Sequence, residues 1–131
     1  MKLAQILERI ENARTGEAVK LIAVSKNVTT KEVLELFKEG QMSFGENRVQ
    51  ELKNKSEILS NLPIEWHFIG RLQSNKINHL LALKPALWQS CESVEAALAV
   101  DKRLDYELPC LLQINSAYED SKQGISPEAA Q

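Results

Sequence analysis

Lys26 closes an apolar run, Leu21-Ile22-Ala23-Val24-Ser25-Lys26, and so sets a primary amine where a β-strand gives way to its loop. That edge is where α/β folds hold their ligands. An ordinary lysine has a pKa of about 10.4, so at pH 7 about one in a few thousand is a neutral nucleophile. Burial in a low-dielectric lumen would lower that pKa and leave an amine able to condense with an aldehyde. A solvated surface charge is the plain alternative for such a lysine taken alone. Asn47 and His67 follow later short runs and could hydrogen-bond the polar groups of a ligand, although a lone barrel histidine serves equally well as a hydrogen-bonded core residue. The loop Gly70-Arg71-Leu72-Gln73-Ser74-Asn75-Lys76 is either a capped helix start or an anion contact at a helix N-terminus. The longer loop Ser116 to Gly124 carries Glu119-Asp120 beside Lys122 and reads as a mobile rim rather than a phosphate cradle.

The elements that must position these residues repeat with an even beat. Apolar runs begin near Val19, Met42, Ile64, Ala86 and Pro109, which are 23, 22, 22 and 23 residues apart. Between them lie segments of helical periodicity, Lys31 to Lys38, Arg48 to Leu59, Gln73 to Leu83 and Ser93 to Leu104. Thr29 or Thr30 can cap the first and Ser93 the fourth, while Gly40 stands where a left-handed residue would end the first. Met1 to Arg14 has Leu3, Ile6, Leu7 and Ile10 at helical spacing among charges, an amphipathic helix and not a signal peptide. Alternating strands and helices imply a mostly parallel sheet, because parallel neighbours need long connections.

Side-chain alternation separates the two parallel architectures. A doubly wound sheet is apolar on both faces of its central strands. Here Ile64, Trp66 and Phe68 oppose Glu65, His67 and Ile69, and Cys110, Leu112 and Ile114 oppose Leu111, Gln113 and Asn115. One face is consistently more polar, and Lys26, Asn47, His67, Gln113 and Asn115 can all project into one lumen. The expected fold is therefore α/β of the (β/α)8 barrel type. A receiver-like five-stranded fold is disfavoured, since its first and third strands should end on acidic residues and these end on Ser25-Lys26 and Gly70-Arg71.

The 131 residues suffice for one domain, and 16 basic against 18 acidic side chains give a net charge of −2, which argues for neither nucleic acid nor an anionic membrane. Cys91 and Cys110 lack CxxC spacing or a nearby histidine, so no metal site or disulfide is expected and a cytoplasmic setting fits best.

The chain resembles the YggS-like pyridoxal phosphate homeostasis proteins, also called the PROSC or PLP-binding protein family. The resemblance rests on Ala23-Val24-Ser25-Lys26, on Phe44-Gly45-Glu46-Asn47 with Val49-Gln50-Glu51, on Trp66-His67-Phe68-Ile69-Gly70 with Leu72-Gln73 and Asn75-Lys76, and on Gln113-Ile114-Asn115 with Ser121-Lys122 and Gly124. These blocks occur in family order across nearly the whole chain. The resemblance implies a single barrel domain like the N-terminal domain of alanine racemase. It implies that Lys26 holds pyridoxal 5'-phosphate as an aldimine, with Asn47 and His67 beside the cofactor. It also implies intracellular binding, buffering and delivery of the cofactor, with PLP-dependent apoenzymes as recipients and no established catalysis. Asn27-Val28-Thr29 stands where family members often have a proline shortly after the lysine.

Length is the larger departure. A (β/α)8 barrel takes about 250 residues, so residues 1–131 correspond to an incomplete N-terminal portion with the first five βα units. Ser126-Pro127-Glu128 reads as the start of a sixth helix. The Gly-Met-Ser and Arg-Ile-Gly type segments with which the family holds the phosphate are not in the sequence. Two other readings follow: a non-binding fragment or interaction module pairing through open sheet edges, and a cofactor-free Schiff-base enzyme such as an aldolase.

Overall fold

A computed structural model describes residues 2–131. Helix α1 (Leu3–Ala13) precedes strand β1 (Ala23–Val24). There follow α2 (Thr30–Lys38), β2 (Ser43–Glu46), α3 (Val49–Ile58), β3 (Glu65–Phe68), α4 (Ile77–Ala82), β4 (Leu87–Cys91), α5 (Val94–Asp101) and β5 (Cys110–Leu112). All neighbouring strands are parallel, in the order β1-β2-β3-β4-β5.

That order decides between the architectures. A doubly wound sheet reverses direction at a switch point, whereas here every crossover advances the same way. Right-handed crossovers that all advance together place their helices on one face, which is the winding of a (β/α)8 barrel. The burial agrees. Phe44, Phe68 and Trp88 are buried on the helix side, and Trp66 packs against both clusters of buried residues. Phe44 and Trp66, paired in register on β2 and β3, meet with ring centroids 5.9 Å apart. Val33 and Leu59 close the core over β2, while Leu52, Ile77, Leu80 and Val100 close it over β3 and β4. The opposite face carries exposed Val24 and, on β5, exposed Leu111.

Local signals place the helix ends. Thr29 accepts the Glu32 amide and Glu32 reaches back to the Thr29 amide, a complete capping box at α2. Gly40 takes φ +108° just past the end of α2, as a residue without Cβ allows. Ser93 Oγ accepts the Ala96 amide at 3.0 Å and starts α5.

Three expectations need correction. The first strand starts at Ala23 and not at Val19, because Gln41 Nε2 takes the Leu21 and Ser43 carbonyls, each at 2.8 Å, where ladder bonds would otherwise run. The helix expected from Gln73 opens as a tighter 3-10 turn, Ser74–Lys76, before α4. The segment after β5 is tied down rather than a free rim: Gln113 Nε2 donates to the Gln123 carbonyl, Asn115 Nδ2 to the Glu119 carbonyl, and Asn115 and Ile125 share a backbone bond. Residues 127–130 turn once behind a Ser126 cap, at the expected helix start.

Candidate functional site

Lys26 follows β1 at the corner of a tight turn. The Val28 amide donates to the Ser25 carbonyl at 3.2 Å, and Asn27 takes φ +60°. Positive φ at the second corner marks a type II turn, and asparagine tolerates that conformation better than most residues. The turn lifts the Lys26 side chain into solvent at the sheet edge. Lys26 lines a cleft of about 380 Å³ together with Thr29, Glu46, Asn47, Arg48 and Glu51. The structure thus brings Lys26 and Asn47 to one cleft.

His67 lies outside that cleft. In the register Val24, Gly45 and His67 stand side by side, whereas Lys26 and Asn47 lie two residues farther along their chains. His67 therefore sits below the level of Lys26 and Asn47 along the strands and does not line their cleft. Its Nδ1 is 2.9 Å from Gln89 Nε2, and its Nε2 is buried without a partner. With Gln89 donating to Nδ1, the neutral ring keeps its proton on Nε2. Burial, then the Lys20 ammonium, push the His67 pKa below the ordinary value, against a smaller pull from Glu65. A buried N–H donor without an acceptor is a contact left for a ligand oxygen or ring nitrogen.

Gln113 and Asn115 do not take part as expected. Their amides are spent on the Gln123 and Glu119 carbonyls of the following loop. Short polar side chains next to a long loop satisfy its backbone first, a contact the strand alternation does not reveal.

The loop after β3 packs directly on the loop after β2. A Cβ on Gly70 would stand 1.9 Å from the Asn47 carbonyl oxygen, so only glycine fits, and Ser90 Oγ holds the Gly70 carbonyl from β4. This close approach forms a second cleft of about 320 Å³ with Asn47, Arg48, Gln50, Arg71, Gln73 and Lys76 in its wall. Asn47 and Arg48 are shared by the two clefts. Glu92 stands 3.8 Å from Arg71 Nε at the outer side.

Sequence reasoning missed the group behind Lys26. Lys55 Nζ donates to the Ser25 carbonyl at 2.7 Å and to Glu46 Oε2 at 2.8 Å, and Ser25 Oγ donates to the same carboxylate oxygen. Glu46 and Lys55 are 0% and 4% exposed, a charged pair under the sheet. The signal was present: Val49, Leu52, Lys55 and Leu59 follow one helical stripe, and a lysine in an apolar stripe needs a partner. Among the described residues no helix is long and apolar enough to cross a membrane.

No family model matches the sequence. The pyridoxal phosphate homeostasis protein of Helicobacter pylori strain 26695 is 48% identical over 136 residues, covering 98% of this chain and 61% of that protein. Its counterpart in Aquifex aeolicus is 37% identical and covers 97% of this chain and 59% of that protein. Among solved structures, PipY of Synechococcus elongatus with PLP bound matches at TM-score 0.76 and 34% identity, over 95% of this chain and 59% of that one. The chain thus spans about three fifths of the length of these relatives. By sequence and by fold it is similar, over about three fifths of their length, to the pyridoxal phosphate homeostasis proteins that its ordered motifs resemble.

Proposed function

We propose that this chain takes part in intracellular pyridoxal phosphate homeostasis by binding the cofactor, with Lys26 as the amine that receives its aldehyde. The observation that carries this reading is the placement of Lys26 at a turn corner on an open cleft beside Asn47. Condensation joins the lysine nitrogen to the aldehyde carbon and releases water. Bound there, the cofactor would be held reversibly, since water can restore its aldehyde and free the Lys26 amine.

The residues present fit such a group. Lys26 is reachable from solvent, Asn47 offers an amide donor and acceptor in the same cleft, and His67 Nε2 is an unused donor below their level along the strands. Asn47 would orient the ligand and His67 would contact it through Nε2–H. The relatives are named for homeostasis of the cofactor, which supports a carrier that binds and releases it; PLP-dependent apoenzymes are its proposed recipients.

Borohydride reduction in the presence of pyridoxal phosphate, followed by peptide mass mapping, tests the reading. Labelling concentrated on Lys26 and lost in Lys26→Ala is the expected result. Labelling spread evenly over the surface lysines, unchanged in the variant, would sink it. Labelling of Lys26 by a plain carbonyl substrate but not by pyridoxal phosphate would point instead to the aldolase-type reading.

A further inference from the structure

Glu46 and Lys55 lie on the helix side of the sheet; Glu46 is part of the wall of the Lys26 cleft, and Lys55 lies buried against it. Strand alternation explains the arrangement. Ser25 and Glu46 follow Ala23 and Phe44 toward the helices, while Lys26 and Asn47 come just past the strand ends and share a cleft with Glu46. Lys55 reaches up from α3 and satisfies Glu46 Oε2 and the Ser25 carbonyl together, at 2.8 and 2.7 Å. That carbonyl also accepts the Val28 amide that closes the turn around Lys26. One oxygen therefore joins the buried ammonium to the turn that presents the exposed one.

A charged pair is a poor way to fill a core. Burying two charges costs several kcal/mol each before their attraction repays it, so apolar residues of similar volume commonly do as well or better. The same stripe of α3 uses Val49, Leu52 and Leu59 for filling. Glu46 Oε1 is moreover buried without a partner, so the pair is not even fully satisfied as a structural element. What Lys55 supplies, and a leucine cannot, is a donor aimed at the backbone oxygen that precedes Lys26.

We propose that the Glu46–Lys55 pair is a positioning device for Lys26: it clamps the Ser25 carbonyl from behind the sheet and so fixes the turn that sets the Lys26 amine beside Asn47. Lys55 touches no ligand in this scheme; it acts through the backbone. The proposal rests on the reading of Lys26 as the cofactor-binding amine, and its test separates the two.

The test compares the unaltered chain with a Glu46→Gln/Lys55→Met variant, which keeps the shapes and removes both charges. Two quantities are read: hydrogen exchange at the Val28 amide, and the pyridoxal phosphate concentration that half-labels Lys26 under borohydride. In a variant that unfolds cooperatively, both are expected to change about tenfold, with faster exchange and weaker labelling, because small displacements of a reacting group are costly. Lys55→Arg, which keeps a cationic donor, is expected to restore part of each. Values within about twofold of the unaltered chain overturn the proposal, and so does faster Val28 exchange with unchanged labelling. Should the double variant not fold, Ser25→Ala, which cuts the hydroxyl link to Glu46 together with a longer contact to the Gly45 carbonyl, replaces it with an expected change of about threefold and the same twofold limit. If the unaltered chain takes no label at Lys26, the cofactor reading falls. Formaldehyde then replaces pyridoxal phosphate as the probe of the Lys26 amine, and the same comparison decides the clamp.

Discussion

Gln89 Nε2 stands 2.9 Å from His67 Nδ1, so the side chain of β4 fixes which nitrogen of the β3 histidine holds the proton. The other nitrogen, Nε2, is buried and unpaired. Burial and the Lys20 charge both disfavour the imidazolium, which sets the folded-state pKa below 6.5.

The sign of the resulting pH dependence follows from linkage. Below pH 6.5 the unfolded chain binds a proton at this position before the folded chain does, so stability is complete above that value. It falls as the pH drops toward the folded-state pKa. An NMR titration of His67 should therefore show a midpoint under 6.5, and His67→Gln should flatten this part of the stability curve. A midpoint above the ordinary value would contradict the buried, neutral ring.

Lys55→Ala leaves Glu46 buried with no charge partner and is expected to cost about 3–5 kcal/mol in urea unfolding. Glu46→Gln/Lys55→Met should cost far less than the sum of its single changes, because no charge is stranded. A double variant as damaged as Lys55→Ala would show that shape, not charge, is what the pair contributes.

Gly70→Ala puts a methyl group 1.9 Å from the Asn47 carbonyl oxygen, a backbone atom that cannot step aside. A loss of about 3 kcal/mol is expected, at the upper end of overpacking costs. The amide signals of residues 47 and 48 should shift with it; a silent substitution would mean that the two loops separate freely.

Thr29→Ala removes the side-chain acceptor of the Glu32 amide, 3.2 Å away. The expected cost is about 1 kcal/mol, with Thr29→Ser recovering most of it. Thermal unfolding of the three proteins measures both, and equal stability of the alanine and threonine forms would remove the cap from the account of α2.

Much of the fold was legible because it depends on local periodicity. The division of β3 into Trp66 and Phe68 against Glu65 and His67 holds in three dimensions, as do the Thr29 and Ser93 caps and the glycine ending α2. The first strand was placed four residues early because Leu21 and Ile22 look like strand residues. Their neighbour in space is the Gln41 side chain, and sequence spacing says nothing of that.

The candidate site divides in the same way. By itself the sequence determined that an amine follows the first strand and that Asn47 follows the second, since apolar runs mark where the strands give way to their loops. Only the tertiary structure decided that His67 lies below their level along the strands, that Gln113 and Asn115 are consumed by their own loop, and that Lys55 grips the carbonyl before Lys26. These are contacts between residues tens of positions apart or through a folded loop. They depend on strand register and on how α3 crosses the sheet, and the pattern of one segment carries neither.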